Sequence, residues 1–306
     1  MGAFIIRRIA GMILTLVCVI TLTFFLIRLA PGGPFDRERK LPEHVEKQLL
    51  AKYELDGPLH RQYAAYLWDV IRGDLRISLK YRSRTVNEIL AQTLPVSFTL
   101  GACAFVVSTV VGMWLGITAA VRRDTIVDRA AMTTAVLAIA LPTFVIGPLA
   151  ILFFALKLQW LPVGGWSGVK SIILPALVLA TPYTAYVARL ARAGMLEVLQ
   201  QDFIRTAIAK GLGRPAVVYK HALKPAVLPV ISFLGPLAAN LLTGSIVVES
   251  IFNIPGAGPF FVHSVLNRDS FLLGGVVIVY CSLLVFLNFL VDLTYTFLDR
   301  RIRLDG

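Results

Sequence analysis

Charged residues fall so unevenly along the chain that long stretches carry none. Uncharged runs separate Arg8 from Arg28, Glu88 from Arg122, Arg129 from Lys157, Lys170 from Arg189, Lys224 from Glu249 and Asp269 from Asp292. The shortest holds 18 residues and the longest 33. A helix needs about 20 predominantly apolar residues to cross roughly 30 Å of hydrocarbon, with a working range of about 17 to 25, so each run predicts a membrane span. Helices of a soluble core would show polar faces at helical spacing, and segments such as 96–121 show none.

The predicted fold class is therefore an all-α integral membrane protein with six transmembrane helices and a helical external segment after the first. The expected organisation is a cytoplasmic N-terminus over 1–8, spans over 9–30, 95–121, 130–157, 172–192, 226–252 and 272–298, and a cytoplasmic C-terminus over 299–306. The external segments are 31–94, 158–171 and 253–271, and the cytoplasmic loops are 122–129 and 193–225. The first run follows Arg7 and Arg8, as a secretory signal would, but it is too long for an ordinary signal core. Only Leu29-Ala-Pro-Gly-Gly33 follows it, with no small-residue cleavage pattern, so an uncleaved span is expected.

Composition agrees: 57% of the residues are hydrophobic and 16% charged, and mean hydropathy is +0.75, against roughly 45–50% and a quarter in soluble domains. The formal charge is +12, which in a soluble chain would point to nucleic acid. Here it reads as membrane orientation, and no nucleic-acid partner is expected. With the N-terminus inside, the inner segments carry fifteen basic residues, whereas the short outer loops hold only Lys157, Lys170 and Arg268. The long segment between Pro31 and Glu88 has eleven basic and nine acidic residues and weighs little either way.

That segment is long for a plain connection. Val45, Leu49 and Tyr53 recur at fours after Pro42, and Leu59, Tyr63, Leu67 and Val70 after Pro58, predicting two short amphipathic helices. They serve either as a cap on the spans or as a docking element facing outward.

Within the spans, Pro142, Pro148, Pro175, Pro182, Pro229 and Pro236 predict kinks, from ordinary bending or beside a watery pathway. Gly112 and Gly116 form a spacing that permits close helix approach. Glu249 and Asp292 end uncharged runs and are expected near an interface, with a proton relay through them as an alternative. Arg189 and Arg192 are expected to snorkel to the inner surface. Cys18, Cys103 and Cys281 all fall in apolar runs and read as reduced packing residues.

The inner loop between the fourth and fifth runs carries the most pattern. Residues 195–210 read as one helix of strong formers stopped by Gly211, and Pro215 opens a second short helix reaching about Leu223. A basic helical knob of this kind can transmit force from a partner, bind anionic membrane lipid or simply solvate the loop, and pattern alone ranks the last two first.

The chain has no phosphate loop of the G-x-x-x-x-G-K-[ST] kind; Gly168-Val169-Lys170-Ser171 lacks the upstream glycine. His44, His60, His221 and His263 are isolated from one another and from cysteine, so no metal site is expected. No nucleophile elbow or paired carboxylates occur. The chain is expected not to be an enzyme, and energy for any pumping must come from elsewhere.

At the inner loop the sequence resembles a known family. Phe203-Ile-Arg-Thr-Ala-Ile-Ala-Lys-Gly211-Leu, followed by His221-Ala-Leu-Lys-Pro-Ala-Val-Leu-Pro229, is similar to the coupling loop of ABC importer permeases in their peptide-importer form. Arg205, Thr206 and Ala207 occupy the positions of the family's E-A-A, Gly211 matches its glycine, and His221-Ala-Leu223-Lys224 stands for I-x-L-P. The missing glutamate and proline depart from the general pattern but suit the peptide branch. Leu29-Ala-Pro-Gly-Gly-Pro-Phe35, Ala51-Lys-Tyr-Glu-Leu-Asp-Gly-Pro-Leu59, Leu141-Pro-Thr-Phe144, Trp160-Leu-Pro-Val-Gly-Gly-Trp166 and Ile254-Pro-Gly-Ala-Gly258 extend the resemblance over nearly the whole chain, nearest to the OppB-type oligopeptide branch.

The resemblance implies a type I importer permease in the bacterial inner membrane, forming half of an alternating-access pathway for oligopeptides. It implies a homologous second permease subunit (OppC type), two cytoplasmic ABC ATPases (OppD and OppF type) that bind ATP and Mg, and an extracytoplasmic substrate-binding protein (OppA type). It implies no cofactor in this chain. The ATPase-coupling residues would be Asp202, Arg205, Thr206, Ala207, Lys210, Gly211, His221 and Leu223. The alternatives are the same assembly importing dipeptides, nickel chelates or glutathione, and, from a different class, an ATP-independent proton-coupled carrier or channel.

Overall fold

A computed structural model of the chain describes residues 2–29, 57–81, 84–242 and 244–298. The described residues are almost entirely helical, and five helices are long and apolar enough to span a membrane, or six if one bent pair counts as a single span. The helix expected after Pro42 lies outside the described residues.

The chain divides into two compact units, one made of residues 1–95 and 257–286, the other of 96–256 with the end of the chain. In the first unit, α1 (Gly2–Leu29) meets α2 (Leu59–Ile71) through aromatic rings. Phe24 is buried between Tyr63 and Tyr66, and the Arg28 guanidinium lies over the Phe24 ring at 3.6 Å. Arg28 also donates from Nε and Nη2 to Gln62 Oε1, at 3.0 and 2.7 Å. The α2 helix is thus fastened to the end of α1 by both stacking and hydrogen bonds.

The rest of this unit is built from the start of α3 (Val86–Val121), α11 (Ala257–Leu266) and α12 (Ser270–Leu298). Leu79, Val86, Ile89 and Leu90 bury against Phe271, Leu272 and Val276. Asp269, buried just before α12, gathers this corner: it accepts from the Ser78 hydroxyl and from the amides of Leu79, Lys80 and Leu272, at 3.2, 3.1 and 3.1 Å for the amides.

The second unit contains the rest of α3, then α4 (Ile126–Ala140), α5 (Thr143–Ala150, continued by a wide π turn over Ile151–Lys157) and α6 (Val169–Leu199). Next come α7 (Asp202–Ala209), α8 (214–226, with a π turn at Val217–Ala222), α9 (Leu228–Leu242) and α10 (Ile246–Ile251). Its core joins Leu100 and Ala104 to Leu174, Val178, Val187, Leu237, Leu241 and Phe252. Small residues set the approach. A Cβ on Gly112 would stand 2.7 Å from Cβ of Val187, one on Gly116 would strike the Ala188 carbonyl, and one on Gly101 the Leu241 carbonyl. The glycine pair read from the sequence is therefore where α3 lies against α6.

Four expected elements differ in detail. The run over 130–157 is not one straight helix: α4 and α5 bend by 105° at Leu141 and Pro142. Pro142 has no amide to continue the helix, and Leu141, placed before it, takes extended angles of −84° and 120°. The run over 226–252 is likewise broken, with α9 ending at Leu242, Gly244 at φ +98°, and Ser245 capping α10 through the Val248 amide. The helix expected over 195–210 is two helices, because α6 continues to Leu199 and the chain turns at Gln201. The helix expected to start at 95 begins at Val86 and carries Pro95 inside it.

Candidate functional site

The segment from Gly194 to Ala226 folds as a platform bearing one short helix. Gly194 lets α6 and α8 touch, since a Cβ there would strike the Ala226 carbonyl. Met195 is fully buried, and with Ala120, Val217, Val218, Ala222 and Ala226 it forms an apolar floor. At Gln201 the backbone turns to φ −70° and ψ 150°, which ends α6 and redirects the chain. Asp202 then opens α7, where its negative charge suits the helix N-terminus.

Ile204 and Ala207, three residues apart on one face of α7, are buried in that floor. The helix closes with a left-handed stop. The Gly211 amide donates to Ile208 and the Leu212 amide to Ala207, at 2.9 and 3.3 Å, while Gly211 takes φ +82°. Apolar side chains are exposed along this segment as well: Phe203, Ile208 and Tyr219 are 48, 59 and 67% exposed. Arg205, Lys210, Arg214, Lys220 and Lys224 of the same segment are also exposed. A short, firmly anchored helix in a segment that exposes both apolar and basic side chains is suited to seat in a protein cleft.

The residues singled out in the sequence separate into two groups here. Ala207 and Leu223 belong to the floor that holds α7. Asp202, Arg205, Thr206, Lys210, Gly211 and His221 are exposed. Asp202 and Arg205 pair at 3.4 Å across one turn, and the Thr206 hydroxyl donates back to the Asp202 carbonyl at 2.9 Å. Sequence reasoning did not single out Ile204, whose burial fixes α7, or the exposed Ile208 and Tyr219. The three-residue spacing of Ile204 and Ala207 was the available signal.

Two carboxylates of this unit have partners that sequence reasoning did not supply. Arg192 does not snorkel freely: its Nε and Nη2 donate to Oδ1 and Oδ2 of Asp128 at 2.6 and 2.7 Å. Glu249, expected near an interface, is wholly buried. Its Oε1 accepts from the Ser97 hydroxyl at 2.8 Å and the Ser245 amide at 3.2 Å, and the bare Gly244 and Gly256 leave room for it. These donors serve an ionised carboxylate well.

Comparison with known proteins supplies the context. Residues 112–304 match the family model described as binding-protein-dependent transport system inner membrane component. The chain is 44% identical over 302 residues to the oligopeptide transport system permease protein OppB of Salmonella typhimurium, covering 98% of this chain and 99% of that one. It is 45% identical over 304 residues to the dipeptide transport system permease protein DppB of Bacillus subtilis, covering 99% of each. Among solved structures it is similar to the MetNI methionine ABC transporter in an inward-facing form, with a TM-score of 0.53 and 19% identity over 69% of this chain and 94% of that chain. At that identity the likeness concerns the fold.

Proposed function

We infer the function from one premise: the chain belongs to the family of binding-protein-dependent transport system inner membrane components. It is a multi-pass membrane permease subunit of an ABC importer and works in the bacterial inner membrane with both termini in the cytoplasm. Its cargo is peptide. The names of its relatives, oligopeptide and dipeptide permeases, support this at nearly equal identity, so oligopeptide import is the first reading and dipeptide import the second.

The single observation behind the mechanism is the platform-borne helix α7. A short helix gripped on one face by Ile204 and Ala207, with Phe203 and Ile208 exposed at the edges of that face and Asp202, Arg205 and Thr206 exposed away from it, suits a partner ATPase. ATP shifts an equilibrium only if it binds one conformation better than the other. The α7 helix is the part of this chain that carries that difference inward, through the floor it shares with α6, α8 and α3. ATP and Mg are bound by the partner ATPases, a second homologous permease completes the pathway, and a substrate-binding protein delivers cargo from outside. An ATP-independent carrier built on Glu249 and Asp292 does not fit a member of this family.

The direct test is affinity purification of the chain from its native membrane, then reconstitution of what accompanies it. A second multi-span subunit and ATP-binding proteins are expected, with ATP-dependent uptake of tri-alanine in liposomes. Solute movement by the chain alone would overturn the reading.

Gly211 separates backbone from surface effects. Its left-handed angle makes any L-residue cost about 1–2 kcal/mol, yet nothing lies within 4 Å of where a Cβ would stand. Gly211→Ala is expected to lower uptake per ATP by about thirtyfold at most. Gly211→Trp carries the same strain and adds bulk on the side facing the partner, so it is expected to abolish uptake while hydrolysis continues. Equal activity of the two proteins would place the partner elsewhere.

A further inference from the structure

Among the described residues, the Asp128 and Arg192 pair joins a buried carboxylate to the helix that carries the platform. Asp128 sits in the first turn of α4 with 4% of its side chain exposed, and Arg192 lies on α6 with 26% exposed. The guanidinium meets both carboxylate oxygens, and the Asp124 amide donates to Oδ2 at 3.0 Å. Arg123 and Arg129 nearby are engaged with Asp124, through its carboxylate at 3.3 Å and its carbonyl at 3.4 Å.

Stability is a poor account of such a pair, because apolar side chains of similar volume usually serve as well or better. A two-pronged pair does something apolar packing does not: it admits one relative orientation of the two helices and resists sliding. Its position gives that property a use. Arg192 stands three residues before Met195, the buried anchor of the platform, on a helix unbroken from Val169 to Leu199. Asp128 begins the helix that leads to the elbow at Leu141 and Pro142.

We propose that Asp128 and Arg192 are positioning residues for transport: their forked pair makes α4 follow α6 when the platform moves. This rests on the reading of α7 as the ATPase contact. Broken, the pair leaves hydrolysis running while α4 slips, so fewer peptides cross per ATP.

The test uses the full complex in liposomes with its receptor protein and tri-alanine, measuring uptake and hydrolysis together at matched amounts of assembled complex. The double variant Asp128→Leu with Arg192→Met keeps the site filled and neutral. It is expected to lower uptake per ATP by about fivefold or more, with the hydrolysis rate near wild type. Arg192→Lys, which keeps the charge and loses the fork, is expected between the two. A double variant with the wild-type ratio overturns the proposal. If the double variant does not assemble, Arg192→Lys decides: a lowered ratio supports the link and an unchanged one overturns it. A wild-type complex without ATP-driven uptake would instead remove the functional reading on which the link rests.

Discussion

Replacing Ile204 by aspartate is expected to abolish ATP-driven uptake while leaving the chain in the membrane. Ile204 is 1% exposed and is one of two buried side chains by which α7 holds the platform. An isolated helix shorter than about 12 residues is not stable in water, and α7 has 8, so docking is what keeps it formed. An unpaired carboxylate forced into that floor costs about 3–5 kcal/mol. At 1.4 kcal/mol per factor of ten, the equilibrium constant for docking falls by about two to four orders of magnitude. Ile204→Val removes one methyl group and is expected to keep most of the uptake. The measurement is peptide uptake per assembled complex, with hydrolysis followed in parallel. Wild-type uptake in Ile204→Asp would mean that α7 does not bear the load.

Asp269→Ala is expected to have the largest effect on stability. The carboxylate caps α12 through the Leu272 amide and holds the Leu79 and Lys80 amides and the Ser78 hydroxyl. Loss of a cap costs about 1 kcal/mol, and each buried amide left unpaired about 1–3 kcal/mol. The sum, about 3–7 kcal/mol, is a large share of the 5–15 kcal/mol that stabilises a typical domain. Thermal unfolding of the purified complex in detergent should show a midpoint lower by about 10 °C or more. Asp269→Asn, which keeps an acceptor, should fall between. An unchanged midpoint for the alanine variant would show that water replaces the carboxylate without loss.

Much of the helical plan was legible because hydrocarbon excludes charge, and the uncharged runs therefore trace the long helices. The same signal is blind to direction. Leu141-Pro142 and Gly244 lie inside runs with no charge to mark them, yet each breaks a helix, whereas Pro95, Pro148, Pro175, Pro182 and Pro236 lie inside helices. Proline removes one hydrogen bond wherever it stands, and whether the residue before it leaves the helix is decided by what the neighbours can pack against. The break at Gln201 was hidden for another reason: Met195 to Lys210 are nearly all good helix formers, and only the acidic Asp202 marks a new N-terminus.

The segment proposed to meet the ATPase was singled out through its resemblance, while the way it is held came from packing. Gly211 showed itself as a helix stop, and the structure adds that its role is conformational, since the space around it is open. Ile204 and Ala207 were visible as a spacing but not as an anchor, because their floor comes from Ala120, Met195 and Val217 on other helices. Nor could Arg192 be joined to Asp128 across 64 positions, or Glu249 to Ser97 across 152. A single sequence records charges but not their partners.

The buried carboxylates also differ in the order in which the ribosome delivers them. Glu249 and Asp269 emerge after Ser97 and Leu79, 152 and 190 residues earlier in the chain, so each arrives when its distant donors have already been made. Asp128 emerges first and waits 64 residues for Arg192. At 5–20 residues per second that wait lasts about 3–13 s. The pair that fastens α4 to α6 therefore can form only once α6 has been translated.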